Sequence, residues 1–223
     1  GRFVGKLRPY QQQGLSWLRF LDAFGLGGCL ADDMGLGKTV QILALLADDV
    51  DRAMEGESVG PTLLICPTSV MGNWQREARR FVPHLRVRLH HGPQRLEGEA
   101  FERDAKRMHL VIASYGLADR DREELSKVAW RRVILDEAQN IKNPGTRQHQ
   151  AVKLFPAATR FALTGTPVEN HLSELWSIYD FVIPEPWTSP QYPEGLHDQK
   201  GDAITLLQAL NTTLKEEFRH NPD

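Results

Sequence analysis

Cysteine and net charge are the two things of which this sequence has least. Among its 223 residues, only Cys29 and Cys66 are cysteines, and they lie far apart without a neighbouring pair. This spacing argues against a disulfide framework and against a zinc site. The formal net charge is −2, from 27 Lys and Arg residues against 29 Asp and Glu residues, so the whole chain has no excess charge that demands nucleic acid. Any such contact has to come from a local patch.

Long hydrophobic runs are also absent. No apolar run approaches the roughly 20 residues of a membrane-spanning helix. The amino terminus lacks the charged-then-apolar order of a secretory signal. We therefore expect an intracellular protein with no membrane partner, cytoplasmic or nucleoid-associated in a bacterium and nuclear in a eukaryote. The apolar fraction of 41% is ample for the buried core of one α/β domain.

Short aliphatic runs alternate with longer stretches of helical period, which is typical of a parallel sheet covered by helices. The predicted strands are GGCLA (27–31), TLLICP (62–67), VRLHH (87–91), LVIAS (110–114), RVILD (132–136) and RFALTG (160–165). The predicted helices are one that starts at Lys38, NWQREARRF (73–81) and HLSELWSIYDF (171–181). The pattern predicts an α/β fold of three layers, with a mostly parallel central sheet and helices on both faces.

The composition changes after Pro184. The stretch EPWTSPQYPEGLHDQKGD is rich in proline, glycine and polar residues, which is typical of a linker. The run AITLLQALNTTLKEEF that follows favours one more amphipathic helix. We therefore predict one domain at 1–184 and a separate segment, a linker with an extra helix, at 185–223.

The stretch DDMGLGKT, which begins at Asp32, has the composition of a phosphate-binding loop between a strand and a helix. Gly35 and Gly37 leave room for a phosphate beside the backbone N–H groups. Lys38 supplies a positive charge to the outer phosphates, and Thr39 supplies a hydroxyl for Mg²⁺. Asp32 stands where the full eight-residue pattern has glycine, but the tight G-x-G-K-T portion is intact. The predicted nucleotide-binding residues of this loop are Gly35, Leu36, Gly37, Lys38, Thr39 and Val40.

The apolar run VILDE, which ends in two acidic residues, supplies the second half of such a site. A buried strand here places Asp136 at its carboxyl end, where it can hold Mg²⁺ through water. Glu137 is then placed to orient and deprotonate an attacking water. These two residues and Lys38 are the predicted catalytic residues, with ATP and Mg²⁺ as cofactors. The combination implies hydrolysis of a nucleoside triphosphate.

The two half-sites occur in many enzyme classes, and the other motifs of the chain separate these classes. In order, they are LRPYQQQGLSWL, ICPTSVMGNWQREARRF, VIASYG, LDEAQNIKNPGT and LTGTPVENHLSELWSIYDFVIP. From Leu7 to about Pro184, this series resembles the first RecA-like motor lobe of the Swi/Snf-type DNA-dependent ATPases, in helicase superfamily two. We expect the segment at 185–223 not to match this family. The resemblance implies a helicase-like ATP hydrolase with a DEAQ box, which moves along double-stranded DNA as a translocase.

The resemblance also implies roles for individual residues. Gln11 matches the family's adenine-reading glutamine, whose amide donates and accepts at once. The residues at DNA-contacting positions are Thr68, Ser69, Asn73, Ser114, Tyr115, Gly165 and Thr166. Thr164 and Gln139 match positions that couple the nucleotide to the DNA groove and the second lobe. The family commonly has His where this chain has Gln139, which does not titrate near neutral pH.

Three further features have a structural interpretation. Trp74 shares a helical spacing with other apolar residues, which favours a position in the core. His90 and His91 are adjacent on a predicted strand, so they point to opposite faces and do not share a metal easily. The segment from Arg76 to Arg107 holds nine Lys or Arg against five Asp or Glu, which fits a solvated helix face or, alternatively, a patch that faces DNA.

Motors of this family build the catalytic site between two lobes, and the 39 residues after Pro184 are too few for a second sheet. The resemblance therefore implies an isolated first lobe that binds duplex DNA weakly, hydrolyses little ATP and needs a second RecA-like lobe, normally in the same chain. Two alternatives stay open. One is an ATP-binding interaction module without turnover; the other is a P-loop kinase, which needs several arginines after the sheet, where the tail has only Arg219.

Overall fold

The structure is a computed structural model in which part of the chain is described in detail. The described residues are 3–33, 35–143, 145–165 and 172–183, without the side chains of 172–176. The chain divides into two units, Gly1–Val182 and Ile183–Asp223, and the fold below is that of the first. Thr166, the predicted boundary at Pro184 and the predicted tail helix lie outside the described residues.

Within the described residues, six strands form one sheet in which every hydrogen-bonded pair is parallel. They are β1 (Gly28–Ala31), β2 (Thr62–Cys66), β3 (Val87–His90), β4 (Leu110–Ser114), β5 (Trp130–Leu135) and β6 (Ala157–Thr164). Their order across the sheet is β1-β6-β5-β2-β4-β3. All six predicted strands are confirmed, although β5 and β6 begin earlier than their aliphatic runs indicate.

The helices between the strands are longer or more numerous than predicted. They are α1 (Pro9–Ala23), α2 (Lys38–Met54), α3 (Thr68–Phe81), α4 (Gly98–Ala105), α5 (Tyr115–Arg120), α6 (Arg122–Leu125), α7 (Arg147–Lys153) and α8 (Leu172–Val182), with a 3₁₀ turn at Ala138–Ile141. The three predicted helices are confirmed as α2, α3 and α8, and the sequence did not predict the others. Gly14, in the middle of α1, obscures the helical period of that stretch. A Cβ on Gly14 would lie 1.9 Å from Gln41 Oε1, so α1 and α2 are in close contact there.

The core is built on rows of aliphatic side chains that cross the sheet. Ile112, Leu64, Ile134 and Phe161 are in register on neighbouring strands, and each is fully buried. They belong to one cluster with the apolar residues of α1, α2 and α3. Helix α7 contacts α5 and α8, and these two helices contact the strands; none of the three belongs to that cluster. The predicted α/β fold with a parallel sheet between helical layers is confirmed.

The strand order brings three loops together. Because all strands are parallel, the segments that follow them meet at one edge of the sheet. Strand β6 lies between β1 and β5, so Thr164 at its end lies between the loop after β1 and the acidic pair after β5. In the part of the chain that the structure describes, no helix is both long enough and apolar enough to cross a membrane.

Candidate nucleotide-binding site

The loop between β1 and α2 holds two glycines in a conformation that other residues avoid. Gly35 has φ 84° and Gly37 has φ 79°. A Cβ on Gly37 would lie 2.4 Å from Gln11 Nε2, so a side chain there would displace the Gln11 amide. A Cβ on Gly35 would meet no described heavy atom within 4 Å. The positive φ therefore favours glycine at both positions, and the backbone at Gly35 is open to approach.

Lys38 begins α2, and the loop itself holds its ammonium group. Lys38 Nζ donates to the carbonyl oxygen of Asp32 at 2.6 Å and to that of Asp33 at 3.1 Å. Thr39 and Val40 follow in the first turn of the same helix. The first four N–H groups of a helix have no partner within it, and the positive end of the helix dipole lies there. The loop thus presents a cation and free N–H groups at one place, which suits a phosphate.

Two side chains of α1 support the loop from outside. The Tyr10 hydroxyl and Gln11 Nε2 each donate to the carbonyl oxygen of Leu36 at 3.1 Å. The other end of the Gln11 amide, Oε1, accepts the N–H group of Arg8 at 2.9 Å. Gln11 is buried and fixed against the phosphate loop, next to Gly37. Its role in reading adenine stays a prediction, and its contact with the loop is a second role that the sequence did not predict.

Asp136 follows β5 and is held at both carboxylate oxygens. Oδ2 accepts the indole N–H group of Trp74 at 2.7 Å, and Oδ1 accepts the backbone N–H group of Glu137 at 3.0 Å. Burial raises the pKa of Asp136 and outweighs the Trp74 hydrogen bond, which lowers it. The positive charge of Lys38 also lowers this pKa, so the two half-sites are close enough to interact electrostatically.

Glu137 has a strained backbone. Its φ is 52°, which makes it the one residue other than glycine with a positive φ among the described residues. Its carboxylate accepts Gln139 Nε2 at 2.6 Å, and its carbonyl oxygen accepts Asn140 Nδ2 at 2.7 Å. Backbone strain of this kind costs of order 1–3 kcal/mol and is retained where the surrounding contacts enforce it, often at functional sites.

Gln139 connects the acidic pair to the end of β6. While its Nε2 donates to Glu137, its Oε1 accepts the hydroxyl of Thr164 at 2.9 Å. Thr164 is fully buried. The amide therefore faces an acceptor on one side and a donor on the other, which fixes its orientation. The structure thus places the two residues predicted to couple the site, Gln139 and Thr164, in direct contact.

The sequence model of the family described as SNF2-related domain matches residues 10–216 of this chain. The chain belongs to the SNF2-related family. The putative ATP-dependent helicase/translocase YwqA of Bacillus subtilis is 51% identical over 180 residues, which are 81% of this chain and 19% of that protein. The helicase swr1 of Schizosaccharomyces pombe is 45% identical over 184 residues, which are 82% of this chain and 14% of that protein.

Solved structures of the SNF2 family match the fold as well as the sequence. The Sulfolobus solfataricus SWI2/SNF2 ATPase core in complex with dsDNA is 42% identical, with a TM-score of 0.72, over 84% of this chain and 38% of that one. The predicted resemblance and the RecA-like fold are confirmed. The chain spans about a fifth or less of the two curated relatives described above. The SNF2-related match continues past Pro184 to residue 216, and a separate segment at 185–223 stays a prediction.

Among the described residues, those that the SNF2 resemblance assigns to DNA are on segments that follow β2, β4 and β6 at the same edge of the sheet, but they are not equally accessible. Thr68 and Ser69 are exposed at the start of α3. Asn73 is half-buried, donates to Glu77 and accepts from Arg76. Ser114 caps α5, its hydroxyl accepting the Leu117 N–H group at 3.3 Å, and Gly165 directly follows β6.

Tyr115, like its neighbour Ser114, is buried, unlike the exposed Thr68 and Ser69. Its side chain is 5% exposed, and its hydroxyl donates to the carbonyl oxygen of Asp136 at 2.8 Å. Burial raises the pKa of this hydroxyl well above its ordinary value, so it stays protonated as a donor. The structure therefore gives the Tyr115 side chain a contact with the acidic pair and leaves a DNA contact to its backbone or its neighbours.

Trp74 is buried as predicted, but the sequence did not predict the acceptor for its indole N–H group. A buried tryptophan usually finds a hydrogen-bond partner, and that rule was the available signal. The partner is Asp136, which is 62 residues away in the sequence. Trp74 on α3, which follows β2, and Tyr115 on α5, which follows β4, thus both contact the acidic pair.

The donors near the phosphate loop fit Mg²⁺. Within the described residues, no three His, Cys, Asp or Glu side chains converge on one metal position. A nucleotide-bound Mg²⁺ needs only one or two protein ligands, because phosphate and water oxygens supply the rest. The hydroxyl of Thr39, which follows Lys38, and the carboxylate of Asp136, whose pKa the charge of Lys38 lowers, are a donor set of that kind. Their assignment as ligands stays a prediction.

Several basic residues of the segment from Arg76 to Arg107 form ion pairs with acidic residues. Arg88 pairs with Asp104, and Lys106 pairs with Glu102, both at the surface. These pairs support the interpretation of a solvated surface. The two histidines of β3 and its end also differ as expected: His90 is buried against Asp121, and His91 is exposed.

Proposed function

We propose that this chain is the ATP-binding first lobe of a double-stranded-DNA-dependent ATPase of the SNF2 family, which acts as a translocase when a second RecA-like lobe is present. The observation that carries the proposal is the convergence of the phosphate loop, the acidic pair and the end of β6 at one edge of the sheet. Lys38 interacts with Asp136, and Gln139 joins Glu137 to Thr164. This arrangement can bind a nucleotide and pass its state to the segment after β6.

Each side chain of the site has a proposed task. Lys38 and the N–H groups at the start of α2 bind the phosphates, and Thr39 with Asp136 hold Mg²⁺, which neutralises phosphate charge when bound. Glu137 orients a water and accepts its proton. In the structure one oxygen of its carboxylate accepts Gln139 Nε2, and the other oxygen can accept the attacking water, so Gln139 orients the base. Gln139 thereby links the base to Thr164.

Double-stranded DNA is the proposed track. The SWI2/SNF2 core from Sulfolobus solfataricus was solved in complex with dsDNA, and this chain shares its fold. The exposed hydroxyls of Thr68 and Ser69 are suited to phosphate oxygens, which carry affinity without sequence information. One lobe reaches only part of a strand, so its binding should be weak and reduced by salt. A DNA substrate also implies an intracellular location, cytoplasmic in a bacterium or nuclear in a eukaryote.

The test is phosphate release at saturating ATP across a titration of duplex DNA. We expect little release from the chain by itself and strong stimulation when the chain is joined to a second SNF2-type lobe. Stabilising arginines from a second element are worth roughly 10³–10⁵ in rate in other P-loop enzymes. In the joined protein, Glu137→Gln should abolish turnover and leave nucleotide affinity unchanged. A strong DNA-dependent rise in phosphate release by the single lobe would overturn the proposal that it needs a second lobe for catalysis.

A second candidate function is an ATP-binding interaction module without turnover. One observation favours it: the Lys38 ammonium is already engaged by two carbonyl oxygens of its own loop. A module of this kind would bind ATP and would show no DNA-stimulated release even when joined to a second lobe. The same titration therefore separates the two candidates.

A further inference from the structure

Trp74 makes the one described hydrogen bond to the Asp136 carboxylate that comes from a distant part of the chain. It lies on α3, is 1% exposed, and donates its indole N–H group to Asp136 Oδ2 at 2.7 Å. A hydrogen bond to a carboxylate is shorter and stronger than one between neutral groups. The acceptor of this bond is an acid of the proposed nucleotide site.

The other donor to Asp136 cannot fix this side chain by itself. Oδ1 accepts the N–H group of Glu137, the next residue, which has the strained φ of 52°. A donor of the same loop moves whenever the loop moves. Trp74 is anchored elsewhere: Met71 and Ala78, on the same face of α3, are buried in the core with it. The core of the domain thereby sets the orientation of the carboxylate.

We propose that Trp74 is a positioning residue, whose indole N–H group holds the Asp136 carboxylate in the orientation that binding of Mg²⁺ with the nucleotide requires. This inference rests on the proposed function, because it takes Asp136 as a metal ligand. Groups that hydrogen-bond to a metal ligand fix its orientation, and their loss typically weakens metal binding by about 10- to 100-fold. Trp74 does not touch the nucleotide in this account and acts only through Asp136.

The chain contains a matched control for the loss of an indole donor. Trp130 at the start of β5 is also buried, and its Nε1 donates to the carbonyl oxygen of Leu125 at 2.8 Å. The substitutions Trp74→Phe and Trp130→Phe each keep an aromatic ring and remove one buried hydrogen bond. Only the first of these bonds reaches the acidic pair. If the substitutions act only by lowering stability, both variants should be affected. If the lost bond positions Asp136, only Trp74→Phe should change Mg²⁺-dependent binding.

The experiment is calorimetric titration of the 223-residue chain with a non-hydrolysable ATP analogue, once with Mg²⁺ and once with EDTA. Trp74→Phe should bind the Mg²⁺ complex about tenfold more weakly than the unsubstituted chain, with equal affinity in EDTA. Trp130→Phe should match the unsubstituted chain under both conditions. Equal Mg²⁺-dependent affinity of Trp74→Phe and the unsubstituted chain would overturn the inference and leave the proposed function standing. Failure of the unsubstituted chain to bind the nucleotide at all would overturn both.

A second measurement uses the unsubstituted chain, so it tests the proposal even if Trp74→Phe does not fold. The indole ¹⁵N–H signal of Trp74, assigned through the backbone of the unsubstituted chain, should shift when Mg²⁺ is added to the chain with ADP. The signal of Trp130 should stay in place. A Trp74 signal that does not respond to Mg²⁺ under saturating nucleotide would contradict a role in positioning Asp136.

Discussion

Buried acidic residues have opposite surroundings at the two ends of the sheet, and strand β5 reaches both ends. Near its start, Arg132 is 1% exposed and contacts Asp22 of α1 and Asp49 of α2. Arg131 and Thr159 add further hydrogen bonds to Asp22. Directly after its end, Asp136 receives one indole and one backbone N–H group. Acids at the first end are surrounded by cations, and the acid at the second end is not.

The pKa directions express this difference. Burial by itself would raise the pKa of Asp22, but the hydrogen bonds and charges of Arg132 and Arg131 hold it below its ordinary value. Burial raises the pKa of Asp136, and its few donors do not reverse the shift. The charges near the start of β5 therefore stabilise the fold. The Asp136 carboxylate after the end of β5 lacks full compensation of its charge, and this leaves it able to bind a cation. The comparison separates a structural end of the domain from a functional one.

The largest expected effect is on stability, from Arg132→Met. This substitution leaves Asp22 and Asp49 buried with much less compensation, which should lower the free energy of unfolding by about 3–5 kcal/mol. Urea denaturation measures it. Arg88→Met is the control, because Arg88 makes a similar two-bond pair with Asp104 at the surface, worth at most about 1 kcal/mol. Equal losses in the two variants would show that the buried network has no special weight.

The pH dependence of stability should identify Asp22 as a stabilising acid. Its folded pKa lies below its unfolded pKa, so its stabilisation is present above the unfolded pKa and is lost as the pH falls through the folded pKa. Asp22→Asn should therefore cost about 2 kcal/mol at pH 7 and progressively less below about pH 4. Asp48→Asn, at the exposed pair with Arg19, is the control and should cost less than about 1 kcal/mol. A deficit for Asp22→Asn that persists undiminished at pH 3 would contradict this account.

A smaller effect is expected at the functional end. The folded pKa of Asp136 is raised, so ionisation of this group lowers the stability of the fold as the pH rises from the unfolded pKa through the folded pKa. Asp136→Asn should cost less stability at pH 7 than Asp22→Asn, because it removes this unfavourable charge although its amide leaves one of the two donors unpaired, while Mg²⁺-dependent nucleotide binding is lost. Thermal unfolding at pH 7 measures the first part. A destabilisation as large as that of Asp22→Asn would remove the distinction between the two ends.

The sequence predicts what depends on neighbours in the chain. The strands were recognisable because a parallel sheet is buried on both faces, so TLLIC and LVIAS are continuous apolar runs. The phosphate loop and the acidic pair were recognisable because a few adjacent residues carry their chemistry. The start of β5 at Trp130, two residues before the predicted strand, is not evident from the sequence, since the polar Arg131 interrupts the apolar pattern and is partly buried only through its pair with Asp22.

What the sequence could not predict depends on contacts between distant residues. The donors to the acidic pair, Trp74 and Tyr115, lie 62 and 21 residues from Asp136, and no local pattern connects them. Helices α5 and α6 have six and four residues, too short for a periodic signal. Their positions follow from packing on the sheet, which local propensity does not determine.

The most direct test of the central claim is calorimetric titration of the chain and of Lys38→Ala with Mg²⁺–ATP. Lys38 is the cation of the phosphate loop, and a charge-assisted contact of this kind is worth roughly 1.5–3 kcal/mol. Lys106→Ala, which removes a surface lysine paired with Glu102, is the control and should bind as the unsubstituted chain does. We predict measurable binding by the unsubstituted chain and a loss of that size in Lys38→Ala. Equal ATP affinity of Lys38→Ala and the unsubstituted chain would contradict a nucleotide site at this edge of the sheet.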